Sequence, residues 1–237
     1  MTEPMPASTV IIARDVLSKL EVYMLRRSAK SSFVPDVYVF PGGRVDSVDR
    51  SPAARMRVTG DTKPMEPAYI YAAARETFEE AGLLFSSKPV DANAMRTART
   101  LLLAGSRSFE QTLDDLKTTV DGLAFRYFSR WITPIAERRR FDARFFVARA
   151  PEGQVAEADS FETEDGVWLT PGDALARYTA GTLSMVFPTI KHLERLRAFT
   201  DVTALLGYAA TKTVVPVLPE LHDDGAITMP PAVDGAW

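Results

Sequence analysis

Between Pro67 and Gly82 the chain settles into one strict helical period. Ile70, Ala73, Ala74, Thr77, Phe78 and Ala81 recur at the i, i+3, i+4, i+7, i+8 and i+11 positions of one face, and Gly82 stands where a left-handed stop belongs. This predicts a helix over about 68–81 with one buried side. No other feature constrains the fold as tightly, because such a helix needs a surface to lie on.

Strands elsewhere supply that surface. Thr9–Ala13 and Leu20–Leu25 are rich in Val, Ile, Tyr and Leu, and the turn-type residues of Arg14–Lys19 between them predict a β-hairpin. Val37–Phe40 reads as a third strand, stopped by Pro41-Gly42-Gly43. Phe141–Ala148 alternates Phe141, Ala143, Phe145 and Val147 against Asp142, Arg144 and Phe146, and Val167–Leu169 reads as another short strand. Pro171–Tyr178 and Pro188–Phe199 read as helices with Pro near the first turn.

Two segments interrupt this α/β pattern. Residues 50–67 are rich in Ser, Pro, Gly, Asp and Lys without a period and predict a loop insertion. Residues 91–130 predict a helical elaboration, with helices around Ala94–Ala104 and Phe109–Leu123 parted by Gly105-Ser106. The tail after Val214 reads as an irregular extension. With 237 residues and 46% hydrophobic content, the whole of 1–237 can share a single core as one elaborated domain.

Composition narrows the chemistry. A formal net charge of -3 gives no overall positive field for DNA or RNA, although a local basic cluster would suffice for a small phosphorylated ligand. Cysteine is absent, which removes disulfides, thiolate nucleophiles and Cys-ligated zinc. His192 and His222 are too few for a multi-His zinc site, and His192 is expected on the exposed side of its helix without a catalytic role. No stretch has the apolar length of a signal peptide or membrane span, so a cytoplasmic protein without a membrane partner is expected.

Carboxylates and a hard metal remain. On the 68–81 helix Glu76 and Glu80 stand four apart and project side by side, where their mutual repulsion favours a divalent cation such as Mg²⁺ or Mn²⁺. Glu79 adds a third acid, and Arg75, four residues before it, can pair with it. Taken alone, this run also describes an exposed helix laced with salt bridges. Pro41-Gly42-Gly43 taken alone is a tight turn; beside an acidic helix, it can bring bare backbone close to a metal or phosphate.

Together the two segments resemble the Nudix box, G-x5-E-x7-R-E-U-x-E-E-x-G-U with U aliphatic. Gly43 and Asp49 align with its first half and Arg75-Glu76-Thr77-Phe78-Glu79-Glu80-Ala81-Gly82-Leu83 with its second. Asp49 replaces the family's Glu, Thr77 replaces an aliphatic residue, and 25 residues (50–74) stand where the pattern has seven. Loop closure entropy grows slowly with length, so the insertion splits the box without destroying it. Split boxes opened by FPGGRVD resemble a branch of the Nudix superfamily that includes coenzyme A diphosphatases. Trp131-Ile132-Thr133-Pro134, Arg140-Phe141-Asp142 with Phe145-Phe146, and Trp168-Leu169-Thr170-Pro171 extend the match, which spreads from Val10 to about Leu196.

The resemblance implies a Nudix-type α/β/α sandwich around a mixed β-sheet, with the box helix lining a cleft. It also implies a metal-dependent hydrolase that cleaves a diphosphate linkage in a nucleoside diphosphate carrying a second group. Glu76, Glu79 and Glu80 would hold Mg²⁺ or Mn²⁺ with the Gly43 carbonyl, and Glu79 or an acid of Glu157–Asp165, with Glu162 and Glu164 ahead of Glu157, would be the general base. Arg140 and Arg144 could hold phosphates, because guanidinium matches phosphate geometry; a solvated strand edge is the alternative. Gly42 and Gly43 would approach the substrate. Tyr38, Phe187 and Trp168 could stack a base, or simply fill the core. The competing reading is a catalytically silent Nudix-fold module that senses a nucleotide or binds a partner. An isopentenyl diphosphate isomerase would need a cysteine, and an RNA-decapping role a basic surface. Coenzyme A itself is suggested by Arg27-Ser28, which fall at the spacing of the bacterial diphosphatases, while Ser32 and Asp36 depart from that pattern.

Overall fold

The computed structural model describes residues 2–29, 35–160, 162–233 and 237; Ser32 lies outside them. The chain opens on the expected hairpin. Strand β1 (Met5–Val16) turns into β2 (Lys19–Arg27) through Leu17-Ser18, at φ 48° and 61°, a two-residue turn whose twist suits the strands. Both strands outrun their apolar centres, because backbone pairing continues past the last apolar side chain.

The hairpin is a fork. β1 pairs with β2 from Ala13↔Val22 to Val16↔Lys19. Where the two part, β3 (Tyr38–Val39) takes the freed edge of β2 and β4 (Gly42–Arg44) takes that of β1. Pro41 sits at the crossing, and its carbonyl accepts from the Val10 N–H at 2.8 Å.

The segment 50–67 is not structureless. It holds helix α1 (Pro52–Met56), capped by the Ser51 hydroxyl accepting from Ala54 N–H, and strand β5 (Val58–Thr59). Helix α2 (Pro67–Ala81) follows as expected and ends at Gly82 with φ 68°. A side chain there would strain the backbone and meet the Arg99 guanidinium at 2.8 Å.

The helical elaboration is shorter than its pattern suggested. Helices α3 (Ala92–Leu103) and α4 (Phe109–Asp115) form, but Lys117 turns out at φ 52° and strand β6 (Val120–Asp121) pairs in parallel with β5, Val58 against Val120. Residues 126–130 are not part of that elaboration either. They begin strand β7 (Arg126–Ile132), antiparallel to β8 (Phe141–Arg149), which in turn runs parallel to β1. Strand β9 (Thr163–Leu169) covers the outer edge of β2. Helices α5 (Pro171–Thr179), α6 (Phe187–Leu196) and α7 (Val202–Thr211) come next, the last unforeseen, and β10 (Pro216–Val217) adds to β7.

Alternation along the central strands sorts the core into two layers. Val10, Ile12, Tyr23 and Leu25 face α2 with Ile70, Ala73 and Phe78, whereas Ile11, Ala13, Val22 and Met24 face α6 and α7 with Leu193, Leu196 and Leu205. β1 and β2 are buried on both faces, which is why they read as apolar runs rather than alternating ones. Each fully buried aliphatic side chain contributes about 1.5–3 kcal/mol. The result is an α/β/α sandwich around a mixed sheet, as the resemblance implies.

His192 overturns the expectation of an exposed position. It shares the buried face of α6 with Thr189 and Leu196 and is fully enclosed, stacked on Phe145 with ring centroids 4.2 Å apart. Its Nδ1 lies 2.6 Å from the Pro188 carbonyl and its Nε2 2.6 Å from Ser129 Oγ. A carbonyl can only accept, so Nδ1 carries the proton and Ser129 donates to Nε2. Burial takes the imidazole down to about 3, against the upward pull of the Pro188 bond, and it stays neutral.

Candidate active site

Arg75 organises the acidic face of α2. Its Nε and Nη2 donate to the two Asp49 carboxylate oxygens at 3.0 and 2.9 Å, and Nη2 also reaches the Arg44 carbonyl at 3.1 Å. Its Nη1 donates to Glu76 at 2.8 Å and Glu79 at 3.0 Å. All five guanidinium hydrogens therefore have an acceptor. Burial alone would lower the Arg75 pKa, but the Asp49 hydrogen bond and the charges of Glu76, Asp49 and Glu79 raise it further.

Asp49 is itself buried, at 1% exposure, and accepts from the Asp46 N–H at 2.8 Å. The two halves of the split box are thus joined by a bidentate ion pair. The shorter acid at this position reaches Arg75 directly.

The glycine bend lies against the same helix. Gly42 N–H donates to Glu80 Oε2 at 2.8 Å. Gly42 and Gly43 pair with Thr9 and Ser8 of β1, so the bend's place is fixed by strand register. Neither glycine has room for a side chain. A Cβ on Gly42 would fall 2.3 Å from the Ser8 carbonyl oxygen, and one on Gly43 would fall 2.4 Å from Glu76 Oε1. Arg99 of α3, which the sequence did not single out, donates to the Glu79 carbonyl at 2.8 Å and closes the C-terminal turn of α2.

The acids feel one another. Burial pushes the Glu76 carboxyl up to about 7, with Arg75 opposing and Glu79 and Glu162 adding to the rise. Burial also raises Glu79, again against Arg75, and lifts Glu80 well above the carboxylate range, reinforced by Glu76.

These residues line a cavity of about 670 Å³. Its polar wall holds Arg27, Gly42, Gly43, Arg44 and Arg75 with Glu76, Glu79, Glu80 and Glu162. Of the loop acids, Glu162 is thus the one beside the cluster, while Glu164 accepts from Ser28 Oγ and Ala29 N–H and does not line the cavity, nor does Glu157. Arg140 and Arg144 stand outside it. Arg140 is buried and donates to the Thr133 and Thr2 carbonyls, and Arg144 pairs with Asp142 and lies 3.9 Å over the Tyr69 ring. Phe187 lines the cavity, but Tyr38 donates to Asp165, and Trp168 packs on Tyr23 beneath Arg14. The sequence signal for Arg27 was its Arg-Ser spacing; Arg44 stood within the FPGGRVD segment without an assigned role.

The donor set suits a hard divalent cation. Carboxylates from one helix face and the backbone carbonyl of Gly43 are oxygen ligands of the kind Mg²⁺ and Mn²⁺ take. Among the described residues, no three acidic or histidine side chains are already drawn into a closed metal cluster. Arg75 holds Glu76 and Glu79, and the Gly42 amide holds Glu80.

The family signature described as the NUDT19 Nudix domain matches residues 53–196. The chain belongs to that Nudix family. The acyl-coenzyme A diphosphatase NUDT19 of Xenopus laevis is 26% identical over 268 residues, covering 90% of this chain and 70% of the frog protein. The human protein of that name is 27% identical over 231 residues, covering 77% and 62%. A crystal structure of a Nudix hydrolase from Alicyclobacillus acidocaldarius superposes with a TM-score of 0.77 at 27% identity, covering 91% of this chain and all of that one. Nudix hydrolases act on phosphoanhydride-type linkages, and this chain carries their fold. The signature begins inside the insertion and ends with α6, so the glycine bend and everything after α6 lie outside it. Among the described residues, no helix is long and apolar enough to cross a membrane.

Proposed function

We propose that the chain, as one Nudix domain over 1–237, hydrolyses the diphosphate linkage of a nucleoside diphosphate bearing a second substituent, with Mg²⁺ or Mn²⁺. Coenzyme A and its acyl thioesters are the first substrates to test, since the frog and human relatives carry the name acyl-coenzyme A diphosphatase. The observation that carries this reading is the convergence of Glu76, Glu79, Glu80 and the Gly42-Gly43 bend on one cavity wall.

Glu76, Glu79, Glu80 and the Gly43 carbonyl would hold the cation, which when bound offsets the charge developing on phosphate oxygens. Arg75 keeps Glu76 and Glu79 side by side, and Asp49 keeps Arg75 in place. Glu162 faces this cluster without a share in the Arg75 pair and is the residue we assign to accept the proton of the attacking water. Arg27 and Arg44, in the same wall, orient the phosphates.

The grip of Arg75 on two of the three box acids is the observation that favours the silent module. A panel of coenzyme A, acyl-coenzyme A, nucleotide sugars, dinucleotides and nucleoside triphosphates, with either metal and product masses read out, separates the two. We expect metal-dependent cleavage at the diphosphate and its loss in Glu80→Gln at an unchanged melting temperature. Turnover that survives both a chelator and this substitution would overturn the reading, and binding without cleavage would favour the module.

A further inference from the structure

Part of the cavity wall takes no role in the chemistry above. After α7 the chain runs along β7 as β10, with Val217 opposite Trp131, and then folds into a hairpin of β11 (Glu220–Leu221) and β12 (Ile227–Thr228). Pro219 and Ile227 of this segment line the cavity with Trp131, Phe141, Phe145 and Phe187. The six side chains are apolar, and they share the cavity with the acids. Both hairpin residues lie beyond residue 196, where the family signature ends.

A hairpin with so few paired residues does not hold itself together in water. Its outgoing limb is fixed by β10. Its return limb is fixed by Met229, Val233 and Trp237, which pack into the core layer of α6 and α7. Trp237 is the largest of these anchors, since a buried Trp ring removes about 150–250 Å² from water. It is 4% exposed and meets Trp131 edge to face at 4.8 Å and His192 at 5.2 Å, with the Arg195 guanidinium 4.8 Å over its ring. Trp131 thus lines the cavity and receives the anchor.

We propose that Trp237 is a positioning residue for substrate selection: docked on Trp131, it holds the hairpin so that Pro219 and Ile227 complete an apolar wall that binds an apolar group on the second substituent of the diphosphate. The inference rests on the hydrolase reading for its reaction, but the wall can be tested apart from it. The polar wall binds what every such diphosphate shares, and the hairpin wall discriminates among them.

The test compares coenzyme A with dodecanoyl-coenzyme A, which differ by the apolar chain, in the native protein, Trp237→Ala, Trp237→Phe and Ile227→Ala. In Trp237→Ala the KM for dodecanoyl-coenzyme A rises about tenfold, because a pocket loses this much when apolar contact is removed. Its kcat and the KM for coenzyme A stay within roughly twofold, and Trp237→Phe restores most of the difference. Ile227→Ala, at a partly exposed position that does not threaten the fold, gives a smaller shift of about threefold in the same direction. Equal changes for both substrates, or no change in either alanine variant, would overturn the proposal. If the native protein cleaves neither compound, the hydrolase reading falls for these substrates. The wall is then judged by calorimetric affinity for the same pair, where loss of the preference in the alanine variants supports it and its retention refutes it.

Discussion

Adding one methyl group at each of two adjacent glycines separates folding from catalysis. Gly43 has an ordinary φ, so alanine fits its backbone, but the new Cβ would lie 2.4, 2.5 and 2.7 Å from Oε1, Cδ and Oε2 of Glu76. Ordinary contact begins at 3.4 Å, so the carboxylate must withdraw by about 1 Å. A Glu side chain can do so at little expense to stability. A displacement of this size in a group that positions the reaction costs about 10²-fold in rate, or about 2.7 kcal/mol. Gly42→Ala is the reverse case. Its Cβ would lie 2.3 Å from the Ser8 carbonyl oxygen and 2.6 Å from Thr9 Cα, at φ +154°, and a central strand cannot retreat as a side chain can. Overpacking and backbone strain together cost about 3 kcal/mol or more there, which lowers Tm by roughly 6–12 °C. Steady-state turnover with Mg²⁺ and thermal melting, run on both variants, read the two effects separately. Native turnover in Gly43→Ala, or a melting loss as large as that of Gly42→Ala, would refute the placement of Glu76 against the bend.

Three further outcomes follow from the geometry. Asp49→Ala takes the bidentate partner from the half-buried Arg75, which keeps Glu76 and Glu79, and should destabilise by about 1–3 kcal/mol, read as a fall in the urea midpoint. Acid unfolding should report His192. Its folded value of about 3 lies below the unfolded 6.5, so its contribution is fully present above pH 6.5 and is lost as pH falls toward 3, up to about 5 kcal/mol in all. The pH dependence of stability in His192→Gln should be shallower by about one proton over that window, and an unchanged slope would count against a neutral buried imidazole. Thr77 is fully buried, and among the described residues its hydroxyl has no partner; Thr77→Val should therefore raise stability by about 1 kcal/mol, seen as a higher Tm.

What could be read from the sequence divides by range. Helix α2 was legible because its period, its Gly82 stop and its acids all lie within one short stretch. The hairpin was legible in its apolar centres, while its ends were not, since Met5 and Arg27 are held by strand pairing. Strand β5 could not be read locally, because what makes Val58 a strand is Val120, far along the chain. The Phe109–Leu123 pattern overran for the same reason: Val120 keeps the helical period and a core side chain, but its backbone pairs with Val58. Arg140 misled as a phosphate ligand because a guanidinium on a strand suits backbone carbonyls equally well, and those of Thr133 and Thr2 were not visible from the strand itself. His192 misled because charged Lys191, Glu194 and Arg195 surround it in sequence, whereas the helix turns it toward Ser129. Glu76, Glu79 and Glu80 fall together on the cavity wall because one helix carries them, whereas Arg27 and Arg44 reach it only through the fork of the sheet.

The parallel pair of Val58 and Val120 ties two excursions that leave the sandwich on either side of α2. Arg57 reinforces the tie by donating to both carboxylate oxygens of Asp114 of α4, from Nε at 3.2 Å and from Nη2 at 3.0 and 2.8 Å. Neither excursion can therefore be shortened alone without baring a strand edge on the other. A chain trimmed to the minimal Nudix scaffold would have to lose both at once, so in drift or in redesign the two should come and go as one unit.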